Sequence, residues 1–197
     1  MLYPVNIKLK GKKVIVIGGG IIAEEKIQKL RCAGADITVV SPDLTTKLRE
    51  LADKGKFVYH CRKYQHGDLM GFFMVIAATN MAPVNEDIYQ EGRSYDMLVN
   101  CVDDPAFCDF YVPAIVQRGK LQVTISSSGS VPFFSKHLRI MLEKKLYRSI
   151  GKDLSDLQKV RRNIIDRYRE DPELKAQKFN EELLPEVEKV LEKIDKF

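Results

Sequence analysis

Residues 18–23 read Gly-Gly-Gly-Ile-Ile-Ala and follow a run of four β-branched residues, Val14–Ile17. The spacing fits GxGxxA, placed directly after a strand and opening a helix. Gly18 permits the sharp turn, and Gly20 lets the main chain approach a pyrophosphate. Ala23 keeps the following helix close to the sheet, and the helix N-terminus offers unpaired N–H groups to phosphates. The competing explanation is a packing turn with no ligand, which the strand–turn–helix context disfavours.

A dinucleotide bound there would reach the end of the next strand, Val39-Val40-Ser41-Pro42-Asp43. An acid is expected about 20 residues beyond the glycines to meet the ribose hydroxyls. Asp43 is displaced by a few positions and follows a proline. No arginine stands at Ser41 or Pro42 to hold a 2′-phosphate, which leans toward NAD over NADP. Ile76-Ala77-Ala78-Thr79-Asn80 ends a later strand and would line the same crevice; Thr79 and Asn80 read equally as cofactor contacts or as a helix N-cap.

Two further clusters carry chemistry. Asn100-Cys101-Val102-Asp103-Asp104-Pro105 ends the last strand of the series, at the edge where ligands bind in such sheets. Asp104 before proline is an N-cap followed by a first helical residue. Asp103 lacks that explanation: it is either a carboxylate suited to acid/base work beside the cofactor or a surface aspartate. Ser126-Ser127-Ser128-Gly129 is either a polar turn with an N-cap serine or a set of hydroxyls, Ser127 and Ser128 among them, facing an anionic ligand. Lys136 and Arg139, on the helix after it, could pair with carboxylates, although basic residues on such helices are more often simply solvated.

The elements that must position these residues alternate. Strand runs at Val14–Ile17, Ile37–Val40, Phe57–His60, Phe73–Ala77 and Met97–Asn100 enclose helical patterns at Ile22–Ala33, Thr45–Lys54 and Pro83–Arg93. Gly34 closes the first helix. Alternation of this kind means βαβ units, an α/β fold with a Rossmann-like parallel sheet. Beyond residue 105 the pattern changes. Phe110–Gln117 and Leu121–Ser126, across an Arg118-Gly119 turn, read as a β-hairpin that could pair with a second subunit. Past Pro132 the chain turns helical, with Phe134, Leu138, Met141 and Leu142 on one face and a Val187, Val190, Leu191, Ile194 stripe in the tail. The expected organisation is residues 1–109 as an NAD-binding Rossmann-like domain, 110–131 as a β-hairpin dimerisation region and 132–197 as a C-terminal helical domain.

Composition narrows the class. The 197 residues are 45% hydrophobic and 30% charged, which suits a soluble globular protein, and a net charge of +5 is a mild basic balance that could serve an acidic substrate, nucleic acid or nothing in particular. No apolar run approaches the roughly 20 residues of a membrane span, and no secretory signal is visible, so the cytoplasm is expected. Cys32, Cys61, Cys101 and Cys108 form no CxxC pair, and His60, His66 and His137 no ligand set, so no resident metal is expected. Nothing resembles a nucleic-acid-binding signature.

Taken in order, IGGGIIAEEK, VVSPDL, IAATN and VNCVDDPAFCDFYVPAIVQRGKLQVTISSSGSVP resemble the precorrin-2 dehydrogenase family, the NAD-dependent module of siroheme synthases. The resemblance covers roughly residues 1–150. It implies oxidation of precorrin-2, a polycarboxylate tetrapyrrole, to sirohydrochlorin, with NAD taking the hydride. In some members ferrous iron insertion follows. It implies a homodimer, with the hairpin and C-terminal helices building the interface and a tetrapyrrole cleft. By this resemblance the catalytic aspartate falls on Asp103, a substrate-site serine on Ser127, and cofactor contacts on Ile21, Ile22, Pro42 and Asp43. The chain departs from the family at the loop after the hairpin, SSSGSVP where SxGGxSP is common. The alternative function is a non-catalytic NAD-sensing Rossmann module, in which Asp103 and the serine loop would have no purpose.

Overall fold

The computed structural model describes residues 2–102 and 104–195. Its elements divide into two units, one running to Tyr111 and one beginning at Val112.

The first unit is a five-stranded parallel sheet in the order β3-β2-β1-β4-β5, formed by β1 (Lys13–Ile17), β2 (Asp36–Val40), β3 (Val58–His60), β4 (Met74–Ala77) and β5 (Leu98–Cys101). Helices α1 (Ile21–Cys32), α2 (Thr46–Asp53) and α3 (Ala82–Ser94) make the connections. Period-two geometry sends alternate residues of one strand to opposite faces. Val14 and Val16 therefore join α1 (Ala23, Ile27, Leu30) and Leu48 of α2 in one core. Ile15 and Ile17 join Ile88 of α3 and Leu69 in the other. Both faces of the central strand are covered, which is why β1 is an unbroken Val/Ile run rather than an alternating one.

The chain enters at β1, runs outward to β3, then returns to the other side of β1 as β4. The crevice of such a sheet opens at that reversal, at the carboxyl ends of β1 and β4. Both ends are occupied by residues the sequence marks: Gly18 after β1 and Ala78-Thr79 after β4.

The second unit pairs β6 (Ala114–Arg118) with β7 (Leu121–Ile125) as an antiparallel hairpin and adds α4 (Pro132–Lys145), α5 (Ile150–Arg167), α6 (Pro172–Lys178), a π-helical turn and α7 (Leu184–Asp195). Val116, Leu146 and Ile150 are its buried centre, with Val190 and Ile194 packed against them. Leu191, expected in the buried stripe, is 53% exposed.

Two details of the hairpin differ from expectation. Arg118 pairs with Leu121, so the turn is Gly119-Lys120 rather than Arg118-Gly119. Gly119, at φ +58°, supplies the positive φ that two-residue turns need. The first strand also starts at Ala114, four residues later than expected, because the residues before it bond elsewhere. Asn100 and Cys108 form an antiparallel bridge, and the Asp109 N–H donates to the Val99 carbonyl at 2.8 Å. The segment thus doubles back along β5.

Candidate active site

The glycine turn is built from two backbone collisions that only glycine avoids. A β-carbon on Gly18, at φ +120°, would lie 2.3 Å from the Ala78 carbonyl oxygen. One on Gly19 would lie 2.0 Å from the Asp43 carbonyl oxygen and 2.9 Å from Ser41 Oγ. Gly18 is therefore fixed by β4 and Gly19 by the end of β2. Gly20 differs: it is exposed, and a β-carbon there would meet nothing within 4 Å. Open space before the first turn of a twelve-residue helix, bordered by its unpaired N–H groups, fits a pyrophosphate. Ala23, fully buried, holds that helix against β1 and β2.

Ile21 and Ile22, in the first turn of α1, are 82% and 45% exposed. Two bare isoleucines beside the phosphate site offer apolar surface for a ligand to cover. Pro42 and Asp43 are exposed at the end of β2, on the same edge of the sheet. Ser41 is buried, and its hydroxyl donates to the Asp43 carbonyl at 2.7 Å, while Tyr59 donates to the Ser41 carbonyl at 3.0 Å. Ser41 thus shapes this end of the strand with its hydroxyl already engaged.

Thr79 donates to Asn85 Oδ1 at 2.7 Å and accepts from the Met81 N–H at 3.2 Å. Met81 is the N-cap of α3, so neither Thr79 nor Asn80 caps it, and Asn80 remains exposed at the strand end. Asn85, buried and absent from the sequence expectations, also donates to the Thr79 carbonyl at 3.3 Å. Gly19 escaped the motif reading too, although the triple glycine was its signal.

Asp103 lies outside the described residues. Asp104 caps the short 3₁₀ turn Pro105–Phe107, accepting from the Ala106 N–H at 3.1 Å, as Asp-Pro suggested. Asn100, 6% exposed, donates to the Phe110 carbonyl at 2.8 Å. Asp109 accepts from the Val99 N–H at 2.9 Å and pairs with Arg93 at 3.0 Å. These bonds hold residues 108–110 against β5. Burial pushes the Cys101 thiol up to about 12, so it stays protonated and serves as packing.

In the second unit, Ser127 Oγ accepts from the Val131 N–H at 3.2 Å, and Ser128 sits at φ +53°. Lys136 is exposed, whereas Arg139 pairs with Glu143 at 2.6 Å within α4. His137 Nδ1 lies 2.8 Å from the Phe133 carbonyl oxygen. Among the described residues no three His, Cys, Asp or Glu side chains gather as a metal site. Among them, too, no helix is long and apolar enough to cross a membrane.

A family model described as NAD(P)-binding matches residues 5–114. Precorrin-2 dehydrogenase of Bacillus subtilis (strain 168) is 35% identical over 161 residues, 82% of this chain and 99% of that protein. The chain belongs to the precorrin-2 dehydrogenase family. The siroheme synthase of Nitrosococcus oceani is 36% identical over 149 residues, which are 76% of this chain but 32% of that one. The chain thus spans about a third of the siroheme synthase and nearly all of the Bacillus protein. The solved structure of SirC, a precorrin-2 dehydrogenase, covers 100% of both chains at a TM-score of 0.77 and 28% identity. Membership of this family, together with the NAD(P)-binding match, makes NAD the cofactor.

Proposed function

We propose that the protein oxidises precorrin-2 to sirohydrochlorin with NAD, as a step in the synthesis of siroheme or a related modified tetrapyrrole. The observation that carries the reading is the pairing of an open Gly20 face, after β1, with the return of residues 108–110 along β5. The first fits a dinucleotide, and the second is built by the string Asn100…Cys108-Asp109-Phe110, part of the motif on which the family resemblance rests.

Bound NAD would supply the hydride acceptor. Gly18 and Gly19 shape the turn, and Gly20 with the N-terminus of α1 receives the pyrophosphate. Ile21 and Ile22 cover its apolar parts, with Pro42 and Asp43 toward the ribose and Thr79 and Asn80 along the crevice. Removal of a hydride from the macrocycle leaves a proton to be taken, and Asp103 Oδ is assigned as its acceptor. Ser127, Ser128 and Lys136 are assigned to the substrate carboxylates. Arg139 is the weaker member, since Glu143 already partners it. A homodimer, insertion of ferrous iron as a second substrate, and residence in the cytoplasm, where NAD is available, complete the proposal.

The test is an anaerobic assay of enzymatically made precorrin-2 with NAD, following sirohydrochlorin and NADH together, with and without ferrous iron. Equal yields of the two products are expected. NAD binding with neither product formed would overturn the dehydrogenase reading. An iron-dependent conversion no faster than the protein-free control would remove the chelatase.

A further inference from the structure

Glu24 stands in the first turn of α1, where a free carboxylate would be drawn toward the same helix N-terminus that must receive the pyrophosphate. It is held elsewhere. Thr45 Oγ1 donates to Glu24 Oε2 at 2.6 Å, and Lys47 Nζ lies 2.9 Å from Oε1. These bonds keep the Glu24 carboxyl below the usual carboxylate range, chiefly through Thr45 and then Lys47. Thr45 is also the N-cap of α2, accepting from the Leu48 N–H at 3.2 Å, and its own N–H donates to the Gly19 carbonyl at 3.0 Å. One residue, two positions beyond Asp43, thus ties the glycine turn, the first turn of α1 and the start of α2 together.

We propose that Thr45 and Glu24 are positioning residues for the dinucleotide, fixing the spacing between the N-terminus of α1 and Ser41–Asp43 and keeping a negative charge off the pyrophosphate. The proposal rests on NAD occupying the glycine turn. It assigns no catalytic contact to either residue. Lys47, with its side chain 57% exposed, adds a screened ion pair and is the lesser partner.

The full-length protein is titrated with NAD by calorimetry, alongside thermal melts and steady-state kinetics. Thr45→Asp keeps an N-cap of equal quality but sets a second carboxylate against Glu24. It is expected to raise the NAD Kd about tenfold, the loss of one charge-assisted hydrogen bond. The change should fall in KM for NAD and leave kcat at saturating NAD as it was. Thr45→Ser, which can still donate and cap, should stay within about twofold of the wild type. The decisive variant is Thr45→Asp with Glu24→Gln: the glutamine amide then donates to the aspartate, reversing the bond, and most of the affinity should return. An unchanged Kd in Thr45→Asp, or a loss that the double variant fails to recover, would overturn the proposal. Failure of the wild-type protein to bind NAD at all would overturn the cofactor reading with it.

Discussion

Gly19 and Asp43 pack backbone against backbone, so close that a β-carbon on Gly19 would sit 2.0 Å from the Asp43 carbonyl oxygen. Its neighbour Gly20 faces open space at φ −80°, a conformation any residue adopts. The two glycines therefore fail differently. Gly19→Ala forces two strand ends apart and should cost about 1–3 kcal/mol of stability, with NAD binding weakened as a consequence. Gly20→Ala should cost under about 1 kcal/mol, the difference between glycine and alanine at an N-cap. With the pyrophosphate seated as proposed, its methyl group would stand in the way, so NAD affinity should fall while the melt barely moves. Thermal melts and NAD titrations of both variants check this; wild-type affinity in Gly20→Ala would put the pyrophosphate elsewhere.

Much of this architecture is legible in the sequence because its signals are local. Four consecutive β-branched residues report a strand buried on both faces, and Gly18-Gly19-Gly20 reports the turn that follows. What stays hidden depends on contacts distant in sequence. The motif has no place for Gly19, whose partner is the Asp43 backbone, nor for the bond from Thr45 to Glu24, 21 residues apart. The first hairpin strand is misplaced for the same reason: Phe110 has strand chemistry, but the buried Asn100 amide claims its carbonyl and draws it to β5. Asp103 lies outside the described residues, so its role rests on the family resemblance.

The loop between the hairpin and α4 departs at two positions from the pattern that the family resemblance implies, and each departure meets a specific geometric demand. Ser128 occupies φ +53°, where the family pattern has glycine. Val131 is the N-cap of α4 with no side-chain bond to the helix, where the pattern has serine. Ser128→Gly relieves left-handed strain, partly offset by the freedom glycine gains when unfolded, for a gain of about 0.5–1 kcal/mol. Val131→Ser adds a cap worth about 0.5–2 kcal/mol. Calorimetric melting should show each variant stabilised and the pair raised by about 3–8 °C. A double variant that melts with the wild type would mean that the loop takes another conformation in solution.

Acid stability has one clear contributor in the loop between β3 and β4. Asp68 makes two bonds of 2.7 Å with Arg62 and accepts from the Gln65 N–H at 2.9 Å. Arg62 is the main cause that holds the Asp68 carboxyl below its ordinary value of 3.8, against the opposing effect of burial. A carboxyl depressed in the folded state stabilises fully above its unfolded value and loses that contribution as pH falls through the folded one. Asp68→Asn should thus be less stable than the wild type at pH 7 by about 1–3 kcal/mol. The gap should close as pH is lowered below about 4. Denaturant unfolding at pH 7 and pH 3 measures it; a gap that persists in acid would exclude the ion pair as its source.

Asn100 is expected to matter although no reacting role is assigned to it. It is 6% exposed, and its amide bonds the Phe110 carbonyl at 2.8 Å and lies 3.4 Å from Cys108 Sγ. Asn100→Asp keeps the shape and removes both donors, leaving a buried carboxylate aimed at a carbonyl. That should cost about 2–4 kcal/mol and loosen the loop at residues 108–110, where it returns along β5. Asp109→Asn is the milder change, because an amide oxygen can still accept from Val99 N–H and the lost partner, Arg93, is 59% exposed; about 0–1 kcal/mol is expected. If the loop positions the proton acceptor, Asn100→Asp lowers turnover well beyond its effect on NAD affinity, since the glycine turn is held by β2 and β4 instead. Thermal melts, NAD titration and the anaerobic assay on both variants separate these effects. Equal loss of NAD affinity and turnover in Asn100→Asp would show general unfolding of the sheet edge rather than displacement of the loop.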